Sequence, residues 1–148
     1  MGSILNESDR TAICDRVRSL SASSTARWGR MSVTEMLRHL RLSAQMAVGE
    51  LEVASVNKRA CQMFPLKHLI LYVLPFPKSA PTAPELHPKA AESFEEEHAA
   101  VLALLERIGA GPRDGNGPAH PLFGTLSWKE WGAATYKHTN HHLKQFGA

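Results

Sequence analysis

Cysteine is scarce in this chain: Cys14 and Cys61 are the only two in 148 residues, they stand far apart, and neither belongs to a C-x-x-C pair. That excludes a disulfide framework and a thiolate zinc site as organising devices, and it suits a reducing, cytoplasmic interior. Long apolar runs are missing too. The longest, LILYVLPF at residues 69–76, is interrupted by Pro75 and falls far short of the roughly 20 residues that span a bilayer. No membrane partner is expected. The charged N-terminal stretch MGSILNESDRTAICDRVRSL lacks the apolar core and small-residue cleavage site of a secretory signal. A basic block is absent as well. The net charge is +3 and the pI near 9.1, yet the lysines and arginines are dispersed without interleaved aromatics, which points away from nucleic acid. No stretch alternates apolar and polar residues between turn signals as a half-buried strand does.

What is present is an ordinary globular balance, 43% hydrophobic and 21% charged, in a length that suits one domain over residues 1–148. Four stretches carry helical periodicity. The first runs from about residue 8 to 20, with Ile13, Val17 and Leu20 in step. The second opens at MSVTEM, where Ser32 and Glu35 form a capping box and Met31 and Met36 a hydrophobic staple, and it ends near Gly49. A short apolar helix fits between Pro65 and Pro75, followed by a proline-rich connection through Pro88. Connections of that length in a small domain usually cover a site or lie against the body of the fold. The third main helix, in AAESFEEEHAAVLALLERIG, ends at Gly109. After GAGPRDGNGPAHP, read as a flexible loop, the last helix opens on Ser127 and Glu130, with Leu126 and Trp131 as staple, and runs to Phe146. These elements predict an all-α fold, a four-helix bundle with a short extra helix and a long proline-rich crossover loop.

The last helix carries YKHTNHHLKQFG, with three of the eight histidines within five positions. On a helical wheel His138 and His142 fall on the dry side with Trp128, Trp131, Thr135 and Phe146, and His141 falls at the edge of the wet side. An i, i+4 pair is about 40° apart around the axis and one turn apart along it, so both rings can aim at one ion. His39, on the inward face of the second helix beside Leu40 and Ser43, offers a third nitrogen. Three neutral nitrogen donors leave an exchangeable position for water or substrate, as catalytic sites do. The same spacing also admits a plainer reading, in which the histidines satisfy core polarity in a non-catalytic metal-binding or dimerisation module.

MSVTEMLRHL, followed far downstream by HPLFGTLSWKEWGAATYKHTNHHLKQFG, resembles the DinB/YfiT-like superfamily of metalloenzymes, and most closely a DinB-like branch of unknown function with a similar His-rich, Gln-Phe-Gly tail. The resemblance spans most of the chain. It implies a four-helix bundle in which His39, His138 and His142 hold a divalent metal such as Zn, Ni, Fe or Mn. It also implies a metal-dependent enzyme acting on a small-molecule substrate, either an S-transferase using a low-molecular-weight thiol or a hydrolase. Imidazole suits several of these metals, and the sequence does not choose among them.

Other residues are candidates for supporting roles. Gln145, one turn beyond the pair, is placed to hold an imidazole or a water by hydrogen bonding. His141 could replace His142 by i, i+3 geometry, but its neighbours Lys137 and Lys144 suggest an outer place. His98 lies on the inward stripe of the third helix, either as a fourth ligand or proton shuttle or as a core histidine bonded to backbone. His120 either lines the mouth of the bundle or ends a loop. Glu35 and Glu97 are the carboxylates near inward arcs that could act as general base, and Glu35 already has a capping duty. Trp28, Trp128 and Trp131 read as core and staple residues.

Overall fold

The computed structural model describes residues 1–56, 58–78, 82–89 and 93–148. The helix α1 spans Glu7–Arg18, opened by the Asn6 side chain accepting from the Asp9 amide, and buries Ile13, Cys14 and Val17. Next, α2 spans Val33–Ala47 behind the capping box formed by Ser32 and Glu35, as the sequence predicts. Gly49, at φ +78°, follows its end. A helical turn, α3 (Leu66–His68), widens into π-type pairing over Leu69–Val73, where the Leu74 amide reaches back to the Leu69 carbonyl. The expected short apolar helix is therefore real, and Pro75 lies beyond its end.

The proline-rich connection carries a 3-10 turn at Pro84–Leu86 that buries Leu86. Its residues 79–81, like residues 90–92 at the expected start of the third main helix, lie outside the described residues. That helix, α4, spans Phe94–Gly109 behind a capping box of Ser93 and Glu96 that the sequence reading did not single out. The last helix, α5, spans Trp128–Gln145, with Ser127 and Glu130 as its capping box and the staple residues Leu126 and Trp131 both buried. Helices α1 and α2 each touch both α4 and α5, enclosing a core of Ile13, Val17, Met36, Leu37, Leu105 and Leu143.

The all-α expectation is overturned by residues read as a flexible loop. Strands β1 (Asn116–His120) and β2 (Gly124–Ser127) pair antiparallel, with His120 opposite Gly124 and Asn116 opposite Ser127, so the architecture is mixed α/β. Local propensity gives no warning, because β1 reads NGPAH and its ladder is irregular between Asn116 and Ala119. Tertiary contacts secure it instead. The indole Nε1 of Trp131 donates to the Pro118 carbonyl at 2.8 Å. Gly117 lies so close to Trp131 that an added Cβ would meet its Cδ1 at 2.7 Å. The hairpin rests on α5 and β1 also touches α2. Among the described residues no helix is long and apolar enough to cross a membrane, and both cysteines are free thiols.

Candidate metal centre

The inward arc of α2 and the dry face of α5 meet where the wheel placed them. His39 Nε2 lies 3.0 Å from His138 Nε2, and His138 Nε2 lies 3.2 Å from His142 Nε2. The three rings stand nearly perpendicular, with interplanar angles of 83°, 75° and 78°. Each offers one ligand atom, and these atoms all lie within 4.8 Å of one another, so the three histidines could hold a metal ion. Two nitrogens about 2.1 Å from one tetrahedral ion stand about 3.4 Å apart, close to the spacing observed.

The opposite ring nitrogens explain why Nε2 faces inward. His39 Nδ1 donates to the Leu86 carbonyl at 2.8 Å, and a carbonyl can only accept, so that ring's proton is on Nδ1. His142 Nδ1 donates to Gln145 Oε1 at 2.8 Å. The Gln145 amide is oriented in turn by its Nε2 donating to the Trp28 carbonyl at 2.8 Å. Gln145 thus does what its position suggested. His138 Nδ1 lies 3.1 Å from the hydroxyl of Ser43, one turn beyond His39 on α2.

This arrangement leaves the neutral Nε2 atoms of His39 and His142 without protons. A proton on His138 Nε2 can be aimed at only one of them, and with that proton on Nδ1, toward Ser43, both short contacts meet lone pair to lone pair unless a cation lies between. Protons do not fill that need. Burial holds His142 down to about 3, holds His138 well below its ordinary value, and lowers His39. A set of three oriented, unprotonated imidazoles fits a divalent ion.

Close packing supports the same site. Gly29, at φ +82°, lies against Gln145, where a Cβ would meet the amide nitrogen at 2.6 Å. The Phe76 ring lies 5.5 Å from His138 and 5.1 Å from His141. His138 is the most exposed of the three histidines, and Phe76 flanks it.

The remaining candidates separate cleanly. His141 lies outside the triad, half-buried, with its ring 5.1 Å from that of His142 and edge-on to Trp28 at 5.9 Å. His98, half-buried, donates through Nε2 to the Val17 carbonyl at 2.9 Å and stacks on Phe94; it is bonded to backbone and ties α4 to α1. His120 ends β1 and opens the hairpin turn, its Nδ1 accepting from the Leu122 and Phe123 amides, and burial lowers its pKa to about 4. Glu35 is occupied by its capping box. Glu97 is fully buried, its oxygens 3.4 Å from Arg38 and Arg41, ion pairs that join α4 to α2. Trp131 is core, whereas Trp28, read as core, lies half-exposed in the wall of a cleft. Ser43, the Leu86 carbonyl and Phe76 were not anticipated. Ser43 carried a usable signal, since it shares the arc of His39 at i+4.

A family model described as "Protein of unknown function (DUF1569)" matches residues 4–148. No curated protein and no solved structure matches the chain.

Proposed function

The chain belongs to the DUF1569 family of unknown function, and from that premise we propose that it is a divalent-metal-dependent enzyme acting on a small molecule, with His39, His138 and His142 as the metal ligands. The observation that carries this reading is the convergence of three Nε2 atoms whose partner nitrogens face Leu86, Ser43 and Gln145. One histidine from α2 and an i, i+4 pair from the last helix also match the site plan that the DinB/YfiT-like resemblance implies. We read the ion as Zn, Ni, Fe or Mn, all suited to imidazole. The reaction is thiol-dependent S-transfer or hydrolysis in the cytoplasm, a setting that the free cysteines support.

When bound, the ion supplies Lewis acidity toward a water or thiol. The chain's own residues do the positioning. The Leu86 carbonyl and Gln145 fix two rings in the Nδ1-protonated tautomer, and Ser43 orients the third. Burial of His39 and His142 keeps water from their faces of the site. Phe76 and His141 flank the side of His138, and His141 is an imidazole near the approach that no ligand role occupies.

Elemental analysis of the purified protein beside the His39→Ala, His138→Ala and His142→Ala variants tests the site without a substrate. The native chain is expected to keep about one equivalent of a divalent metal through neutral dialysis, and each variant to lose most of it while staying folded. Native protein holding under about a tenth of an equivalent overturns the reading.

A further inference from the structure

A cleft of about 350 Å³ opens beside the triad, and its lining is chemically one-sided. Lys78, Lys137 and Lys144 line it together with Trp28, Tyr72, Leu74 and Phe76, and no Asp or Glu among the described residues does. Lys137 is engaged with the backbone carbonyls of Ile70 and Leu71. Lys78 and Lys144 carry no such bond to a carbonyl or carboxylate among the described residues. The Lys78 ammonium lies 4.7 Å from the centre of the Trp28 ring, in cation–π contact. The Trp28 Nε1–H is itself buried without a hydrogen-bond partner among the described residues.

The cleft and the triad share a wall. Phe76 and His141 line the cleft, and the same two rings pack against His138 and His142. On α5 the cleft row 137, 141, 144 runs parallel to the triad row 138, 142, 145, turned by about 100°. A ligand lying along the first row therefore meets Phe76 and His141, the two cleft residues that touch the triad.

We propose that this cleft binds the substrate of the metal centre, and that the substrate is a small organic anion with an apolar body: its anionic group beside Lys78 and Lys144, its body against Trp28, Tyr72 and Phe76, and its reacting end at the triad. This rests on the metal-enzyme reading above. Three cationic side chains in a cleft without a carboxylate among the described residues disfavour a cationic ligand, and the aromatic wall disfavours a small hydrophilic one.

The test measures binding of 4-phenylbutyrate, 4-phenylbutanol and 4-phenylbutylamine to the metal-loaded protein by NMR titration. The carboxylate is expected to bind about five-fold or more tighter than either analogue, the scale that two exposed ion pairs supply. A Lys78→Ala/Lys144→Ala variant, with metal content unchanged, is expected to remove that preference and leave the alcohol's affinity alone. Equal affinity for the three probes, or a carboxylate preference that survives the lysine variant and vanishes with the metal, overturns the proposal, the latter because it shows coordination to the ion alone. Metal-free His138→Ala protein separates the two ideas. A lysine-dependent preference there, in a chain whose native form holds no metal, would leave the anion cleft standing and remove the enzyme reading. Loss of the preference in a metal-replete protein would do the reverse.

Discussion

His39 Nδ1 lies 2.8 Å from the carbonyl oxygen of Leu86, forty-seven positions further along the chain. The bond places the proline-rich crossover directly behind the ring of one triad histidine. A segment whose length raised the question of what it covers thus has an answer in a single backbone acceptor. Because neutral His39 must carry its proton on Nδ1 to make this bond, the crossover also sets which nitrogen faces His138.

If an ion is held at the triad, order at the crossover and occupancy of the site are linked. Adding Zn²⁺ or Mn²⁺ to metal-stripped protein is expected to slow amide exchange at Leu86 and His87, whose amides bond to the Ala83 and Pro84 carbonyls. Exchange at those amides that ignores the metal would show the two to be uncoupled.

Gln145 holds His142 on one side and the Trp28 carbonyl on the other. Gln145→Leu keeps the volume and removes both bonds. It is expected to weaken metal binding by about 10- to 100-fold, as loss of an outer hydrogen-bond partner typically does. Competition with a calibrated chelator measures this, with circular dichroism to confirm that the fold persists.

Glu97 is fully buried between Arg38 and Arg41. Glu97→Gln removes the charge and is expected to destabilise the protein by roughly 3 kcal/mol, the low end for breaking a buried pair, because both arginines can turn toward water. Urea unfolding gives the stability and elemental analysis the metal content. A stability loss with metal retained identifies a packing role. An unchanged midpoint with lost activity would instead mark the carboxylate as part of the chemistry.

Burial lowers the pKa of His120 from 6.5 to about 4. Its depressed value means the unfolded chain binds a proton that the folded chain refuses across that window. Stability carried by the neutral ring is therefore full above about pH 6.5 and is lost as the pH falls toward 4. Urea midpoints of the metal-stripped protein are expected to fall over this range, and His120→Gln is expected to flatten the fall by about one proton's worth of slope. A parallel fall in the variant would place the titration elsewhere.

The sequence was informative where the candidate site and the fold used the same periodicity. His138 and His142 at i, i+4, and His39 on the inward arc of a helix whose start Ser32 and Glu35 mark, could be read on a wheel because each side chain's direction follows from helix geometry. β1 was not readable. Its Gly117 and Pro118 signal a loop, and what makes it a strand is the Trp131 indole and the neighbouring helices, none of which is local. The support of His39 was hidden for a different reason. A main-chain carbonyl is the same atom at every residue, so nothing in the letters around Leu86 marks it. Phe76 and Lys78 stood in a proline-rich stretch whose path across α5 no helical period predicts.

His39 and His138 face each other across 99 positions of chain. An ion gripped there ties a long loop shut in the manner of a removable cross-link, and long loops are the ones whose closure most restricts the unfolded chain. Heat resistance then becomes a function of free metal concentration, rising with the logarithm of supply above the dissociation constant. A cell short of that metal would then hold a population of this protein that is easier to melt and to degrade.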